Sequence, residues 1–192
     1  AAMYNTAVGY NAGNAVSTGI NNTFLGGLAG DATTTSNNNT AVGFYSLSEN
    51  TTGAQNTALG SYALFGNTTG SHNIGIGYGT LDNETTGNQS TAVGAYALTT
   101  QQGASNNTAI GYAAGHDVST GTQNVFMGAY SGANITSAPS NTAIGYYALQ
   151  TDTQGRDSVA IGATALSTQN FTSSTYSYNV AVGSASGQLL TT

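Results

Sequence analysis

The chain repeats one pattern of apolar and polar positions every 17 residues. The pattern is a five-residue word, Asn39-Thr40-Ala41-Val42-Gly43 in one copy, with an aliphatic residue before the closing glycine and Thr, Ile or Val two residues earlier. A fixed internal period of this kind is the signature of a repeat architecture. Eleven copies close at glycines 17 residues apart, except for a last step of 21: Gly9, Gly26, Gly43, Gly60, Gly77, Gly94, Gly111, Gly128, Gly145, Gly162 and Gly183.

Each word predicts a short β-strand. Thr6 and Val8 fall on one side of an extended segment and Ala7 on the other, which is the period of two of a strand. A helix is disfavoured because each repeat carries two or three glycines and many Thr and Asn residues. We expect the Val or Ile and the Thr of each word to point into the coil, beside a Leu or Gly that follows the closing glycine.

A second apolar segment and a polar turn complete each repeat. The third residue after the closing glycine is small in every copy, and the next is Gly in five copies and Leu in six: Leu47, Leu64, Leu81, Leu98, Leu149 and Leu166. A turn glycine then recurs, where a positive φ would suit a tight turn: Gly19, Gly53, Gly70, Gly87, Gly121 and Gly155. Two strands and two turns per repeat make one coil of a solenoid. We therefore predict an all-β fold, a parallel β-roll or β-solenoid of about eleven coils forming a single repeat domain over residues 1–187.

Two side-chain ladders should run along this solenoid. Aromatic rings follow the closing glycine in odd coils, as at Tyr78 and Tyr112, and stand one position later in even coils, as at Tyr62, Tyr96 and Tyr130. Because coils stack about 4.8 Å apart, rings in one column would crowd, so alternate coils use alternate columns. The Asn that opens most words predicts a ladder of amides hydrogen-bonded along the axis.

The repeat is interrupted once, by four extra residues within the segment 167–178. Insertions in a solenoid map to surface loops that often mark a contact face. Phe171, Tyr176 and Tyr178 are the candidate receptor contacts, because exposed aromatic rings suit the faces of sugars; the alternative is that they pack on the rod. Residues 188–192 are expected to be a tail or the continuation of a longer fibre.

Composition and charge exclude several classes of function. Charged residues are 4% of the 192, with a net charge of −6, one Arg and no Lys. Nucleic acid is therefore not an expected partner, because its non-specific affinity rests on basic side chains. No apolar run is long enough to predict insertion into a membrane, and the absence of Cys removes disulfides and thiol metal sites.

The few titratable groups do not predict a catalytic site. Asp82 and Glu84 lie in one polar turn and are interpreted as solvated charges, although a carboxylate pair is the arrangement that glycoside hydrolysis uses. His116 and Asp117 could form a base with an orienting carboxylate, but a surface turn is the simpler interpretation. His72 is interpreted as a turn residue rather than a metal ligand. We expect no enzyme activity, no cofactor and no metal.

A single chain of this kind has a slender core. Apolar burial at about 25 cal/mol per Å² is unlikely to offset the ordering of 17 residues per coil at about 1.5 kcal/mol each. Burial against identical neighbours would supply the difference, and a three-fold bundle is one closed way to achieve it. We expect a homotrimer; the alternative is a thicker single-chain solenoid stabilised by its Asn, Thr and Tyr ladders.

Two words carry a family likeness. Asp157-Ser158-Val159-Ala160-Ile161-Gly162 and Asn179-Val180-Ala181-Val182-Gly183 resemble the repeat of the head domains of trimeric autotransporter adhesins. The wider unit, with Tyr-Ala-Leu and Asn-Thr-Thr-Gly, is similar to repeats of bacteriophage tail fibres and bacterial surface fibres. The resemblance covers residues 5–187 and implies a left-handed trimeric β-roll in an extracellular or virion fibre that continues end to end and binds a cell-surface glycan or protein receptor. Autotransporter heads repeat near 14 residues rather than 17.

Three functions follow from the sequence. The first is a non-enzymatic fibre module, from a tail fibre or a surface adhesin, that provides reach, rigidity and attachment. The second is an ice- or crystal-surface binder, because threonines recur at the coil spacing in two ranks: Thr51, Thr68 and Thr85, and Thr52, Thr69 and Thr86. The third is a sugar-cleaving tailspike, which would need paired acids on one face.

Overall fold

The computed structural model describes residues 3–191, which form a parallel β-solenoid of strands and turns without a helix. Ala1, Ala2 and Thr192, which the sequence assigns to the repeat domain and the tail, lie outside the described residues. Eleven strands of three residues stack in sequence order in one sheet, and two strands of two residues form a second. Their bounds are β1 (Thr6–Val8), β2 (Thr23–Leu25), β3 (Thr40–Val42), β4 (Thr57–Leu59), β5 (Ile74–Ile76), β6 (Thr91–Val93), β7 (Thr108–Ile110), β8 (Val125–Met127), β9 (Thr142–Ile144), β10 (Gly155–Arg156), β11 (Val159–Ile161), β12 (Thr175–Tyr176) and β13 (Val180–Val182).

The register of the sheet follows the sequence period. Val42 lies opposite Leu59, its counterpart one repeat later, and all neighbouring pairs are parallel. The longer last step keeps this register, since Ile161 lies opposite Val182. Among the described residues, the eleven strands of the sheet mark ten complete turns of 17-residue coils, so the predicted fold class is confirmed.

The inside of the coil is not the side that we expected. The middle residue of each long strand points inward, and Ala41, Ala58 and Ala92 are fully buried. The first and third residues lie on the outer face, where Leu25 is 46% and Ile110 is 38% exposed. The prediction of inward Thr and Val was wrong because strand alternation tells which residues share a face but not which face is inside.

Leucine and phenylalanine fill the interior in two alternative ways. The six leucines of the second apolar segment are all buried, as predicted, and pack with the strand alanines. In other coils the strand carries Phe24 or Phe126, and the leucine position is glycine on either side of the ring. A Cβ on Gly132 would lie 2.2 Å from the ring of Phe126. The glycines therefore make room for the phenylalanine.

The turn glycines are required by close approach and not by a positive φ. Gly53 and Gly70 are not among the residues with left-handed backbone, which corrects the expectation for this position. A Cβ on Gly53 would lie 2.2 Å from the carbonyl oxygen of Gly70 in the next coil. The stacking distance between coils thus excludes a side chain here.

The predicted asparagine ladder is present and is buried. The Oδ1 atom of Asn39 accepts a hydrogen bond from the backbone N–H of Asn56 at 2.9 Å, and its Nδ2 atom donates to the carbonyl of Gly53 at 3.0 Å. The same side-chain-to-backbone step joins Asn56 to Asn73. Each amide therefore ties its own coil to the next one.

A buried carboxylate repairs the ladder where serine replaces asparagine. At Ser90, the Nε2 atom of Gln101 donates to the serine Oγ at 3.1 Å and to Glu84 Oε2 at 2.7 Å. The other oxygen of Glu84 accepts from the backbone N–H groups of Gly87 and Gly103. Glu84 is fully buried, so its interpretation as a solvated charge was wrong. Its position seven residues after the closing glycine faces inward in every coil.

A second serine is repaired in the same manner. At Ser158, the Nε2 atom of Gln169 donates to the serine Oγ at 3.1 Å and to Asp152 Oδ2 at 2.6 Å. Asp152 is fully buried, and its Oδ1 accepts from the backbone N–H of Gly155. The replacement of asparagine by serine therefore comes with an acid and a glutamine in both places.

Candidate binding surfaces

The outer side of the main sheet forms what we call the aliphatic face, made of the first and third residues of its eleven strands. These positions hold Thr, Val, Ile, Leu and Met and no charged residue. Eleven strands about 4.8 Å apart and about 10 Å long give this face an area of roughly 500 Å². That lies near the upper end of the apolar patches that monomeric proteins expose.

An unbroken aromatic stripe runs beside the aliphatic face. Consecutive rings contact one another with centroids 4.0 to 6.0 Å apart. Between Tyr78 and Tyr130 the rings alternate between the two columns from coil to coil, as predicted. The stripe consists of Phe44, Tyr45, Tyr62, Phe65, Tyr78, Tyr96, Tyr112, Tyr130, Tyr146 and Tyr147.

The stripe opens into a cleft of about 270 Å³, which we call the tyrosine cleft. Two small residues, Ala113 and Ala133, are 5% exposed and stand where neighbouring coils carry larger side chains. Three rings form one wall, and three polar residues stand opposite them. The lining comprises Tyr96, Tyr112, Ala113, His116, Tyr130, Ala133, Asn134 and Gln150.

The polar wall of the cleft holds one oriented imidazole. His116 Nδ1 lies 2.6 Å from Asp117 Oδ1, so the predicted contact between these neighbours exists, on a partly exposed corner. On the aromatic wall, partial burial and then the neighbouring Tyr112 raise the pKa of Tyr130 above its usual value near 10. Tyr130 is therefore a neutral phenol at physiological pH. The cleft combines apolar ring faces with neutral hydrogen-bonding groups.

The inserted loop is partly built into the rod. Its strand β12 pairs with β10, and the Phe171 ring lies against the Cα of Gly155. Tyr176 and Tyr178 project instead, at 57% and 68% exposed, and their rings stack at 5.4 Å. The guanidinium of Arg156 lies 4.2 Å from the centre of the Tyr176 ring. Of the three predicted contacts, two are thus on the surface beside the only arginine, and one packs on the rod.

The threonine ranks serve the backbone. The Oγ1 atom of Thr51 donates to the carbonyl of Thr68 at 3.0 Å, and that of Thr68 donates to the carbonyl of Thr85 at 2.9 Å. These hydroxyls therefore link coils along the axis, as the Asn ladder does. The second rank, with Thr52 and Thr69, is exposed.

The remaining titratable residues lie apart from one another. Asp82 is half-buried and its Oδ1 has no hydrogen-bond partner, while Glu84 of the same turn points inward. His72 is an exposed turn residue with left-handed backbone. Over residues 3–191, no group of three or more His, Asp or Glu side chains is placed to hold a metal ion. Within the same range there is no helix with the length and apolarity to cross a bilayer.

The tyrosine cleft was not predicted from the sequence. Its rings were recognised as a rhythm, and His116 was considered for its neighbour Asp117 alone. The available signal was a pair of exceptions within the columns, Ala113 among tyrosines and Ala133 among larger residues. No protein-family model, curated protein or solved structure matches the chain.

Proposed function

We propose that the protein is a non-enzymatic segment of an extracellular fibre, of the tail-fibre or surface-adhesin kind, in which three copies associate through the aliphatic face. The observation that carries the proposal is the aliphatic face itself: eleven ranks of outward Thr and aliphatic side chains with no charge among them. Water contact of so much apolar surface is unfavourable, and a second surface of the same kind removes it.

Three features support self-association over capture of a different partner. The face repeats at every coil, so two copies placed side by side meet with matching ranks along their whole length. The exposed rings of the adjacent aromatic column, such as Tyr78 at 49%, widen the apolar surface beyond the sheet. The resemblance of the repeat word to trimeric adhesin heads favours three copies over two.

The fibre role also accounts for the stiffness of the design. Every coil is tied to the next by strand hydrogen bonds, by the Asn ladder and by threonine hydroxyls. Eleven strands give a rod about 50 Å long, and the outer sides remain available for attachment to a host or surface receptor. Reach and rigidity are the mechanical needs of such a module.

Sedimentation velocity and small-angle scattering test the assembly. We expect a species of three times the 19.1 kDa chain mass, with the length of a straight rod. Leu59→Lys with Ile110→Lys puts charge on the aliphatic face and should shift the protein to monomers or abolish soluble folded material. Thr52→Lys, on an exposed turn away from the face, is the matched control and should remain trimeric. A wild-type protein that sediments as a folded monomer contradicts the proposal.

A second function is favoured by one observation on the same face. Its first column holds an outward threonine in seven of the eleven strands, in a flat array repeating about every 4.8 Å. A regular array of this kind suits binding to ice or to a crystal surface, which requires the face to be free. Thermal hysteresis in a monomeric protein would support this function over the fibre. Loss of hysteresis in the Leu59→Lys variant would locate the binding to this face.

A further inference from the structure

We propose that the tyrosine cleft binds one residue of a neutral hexopyranose chain. This inference rests on the attachment role proposed above and names its ligand class. The cleft is distinct from the inserted loop and lies in the middle of the aromatic stripe. A volume of about 270 Å³ is at the lower end for small-molecule sites, which suits a ligand of the size of one sugar ring.

The aromatic wall matches one side of such a ligand. Tyr96 and Tyr130 occupy the same column two coils apart, about 10 Å by the coil spacing, and Ala113 lies between them. Tyr112 contacts both rings, with centroids 5.9 and 5.3 Å away. Aromatic faces carry partial negative charge and attract the weakly positive C–H groups that pyranose rings present on their apolar side.

The polar wall matches the hydroxyl edge of the ligand. Asn134 and Gln150 line the cleft, and their side-chain amides make no hydrogen bond within residues 3–191. Each amide offers both donors and an acceptor, which is what a sugar hydroxyl requires. His116 has its Nδ1 engaged by Asp117, so its Nε2 remains for a ligand. Three unengaged polar groups therefore converge on one apolar recess.

Charge selects a neutral sugar. No Arg or Lys lines the cleft, Asp117 adjoins it, and the chain has a net charge of −6. An acidic sugar would meet like charge without a cation to pair with it. Neutral hexoses carry the same ring and hydroxyl chemistry without that repulsion.

Titration with defined oligosaccharides tests the inference on the protein in its solution assembly. The probes are cellotetraose, maltotetraose and mannotetraose, with trigalacturonate as the acidic comparison. Tyrosine fluorescence reports directly because the chain has 12 Tyr and no Trp, and saturation-transfer NMR confirms contact with the sugar. We expect at least one neutral tetrasaccharide to bind, and trigalacturonate to bind more weakly or not at all.

Ala113→Tyr closes the cleft without introducing a foreign feature. The same column already carries tyrosine beside an aromatic neighbour at Phe44–Tyr45 and Tyr146–Tyr147. This variant should weaken binding at least tenfold, as should Asn134→Ala with Gln150→Ala. Ala185→Tyr is the matched control, since Ala185 has the same left-handed backbone in the same column but is exposed in the last coil. It should bind as the wild type does.

Three results would overturn the inference: no binding of any neutral probe, undiminished binding by Ala113→Tyr, or tighter binding of trigalacturonate. Sedimentation of the same samples separates the two proposals. Trimers that bind no sugar refute the cleft alone, whereas folded monomers refute the fibre assembly whatever the sugar result. Equal loss in Ala113→Tyr and Ala185→Tyr would place any sugar site outside the cleft and also overturn the inference.

Discussion

Two corners of the rod, four coils apart, occupy the same columns and differ in whether they are filled. At the first corner, the ring of Phe65 packs on Tyr45 and Tyr62 with centroids 5.8 and 5.7 Å away. At the second corner the equivalent residues include Ala113 and Ala133, and the space is the tyrosine cleft. Because the strand register is the same at both, the difference comes from the side chains and not from the backbone.

The difference extends through the wall of the coil. Behind the filled corner, Leu47 and Leu64 pack with a strand alanine. Behind the open corner the equivalent positions are Gly115 and Gly132, and Phe126 fills the interior from the strand. A repeat solenoid can therefore exchange its contents in compensating sets while the coil outline stays fixed. A binding site can be introduced at one corner without a change in the frame.

Removing the interior ring should break the open region most severely. Phe126→Ala leaves a cavity between two glycines that cannot collapse into it, and we expect a loss of about 4 kcal/mol in the free energy of unfolding. Urea denaturation followed by circular dichroism measures it. Adding Gly115→Leu and Gly132→Leu copies the contents of the filled region and should recover all but about 1.5 kcal/mol. Failure of the triple variant to recover stability would contradict the exchange of compensating sets.

How much of this was accessible from the sequence depends on what periodicity encodes. A fixed spacing of glycines predicts which residues stack, so the register of Val42 on Leu59 and the Asn ladder were predictable. The inward face was not, because alternation is symmetric between the two sides of a strand. A comparison of Glu84 with Asn50 and Asn67, which share its column, would have indicated burial; its charge suggested solvent instead.

The cleft escaped prediction for a related reason. A repeat is recognised by the residues that recur, whereas the cleft is created at Ala113 and Ala133, where the recurring larger side chains are missing. Its polar wall, with Asn134 and Gln150, comes from columns that vary freely along the rod. Departures from a repeat therefore carry more information about a site than the repeat itself does.

The rung between the two corners depends on its buried acid. Glu84→Ala should cost about 3 kcal/mol, because it leaves the N–H groups of Gly87 and Gly103 and an amide hydrogen of Gln101 without their acceptor. Glu49→Ala, on the exposed surface, is the control and should change stability by less than about 0.5 kcal/mol. Urea unfolding of the two variants measures the contrast. Equal small effects would mean that the carboxylate does not support the rung.

Opening the filled corner sharpens the comparison by separating space from chemistry. Tyr45→Ala with Phe65→Ala should create a second recess at a cost of about 2 kcal/mol, since both rings are only half-buried. Gly66 stands there in place of Asn134, so the new recess lacks the amide of the natural cleft. We therefore expect no added sugar binding when Ala113→Tyr is also present to close that cleft. Sugar binding by this combined variant would show that an apolar recess alone suffices.

The smallest effect concerns the acids beside the filled corner. Burial, and then the charge of Glu49, raise the pKa of Asp82 above its ordinary value of 3.8. A raised pKa means that the folded protein holds this proton more tightly than the unfolded chain does. The contribution of Asp82 to stability is thus present below its unfolded pKa and is lost as the pH rises through its folded value.

Asp82→Asn should remove that loss. We expect the variant to be more stable than the wild type at pH 7 by less than about 1 kcal/mol, since the group is partly solvated. The advantage should shrink as the pH falls below about 4, where the wild-type carboxyl is protonated. Urea unfolding at pH 3 and pH 7 measures both differences. Glu49→Gln acts on the lesser cause and should give a smaller gain of the same sign. A variant less stable than the wild type at pH 7 would show instead that the Asp82 carboxylate has a stabilising partner, as the Asp117 carboxylate has in His116 at the open corner.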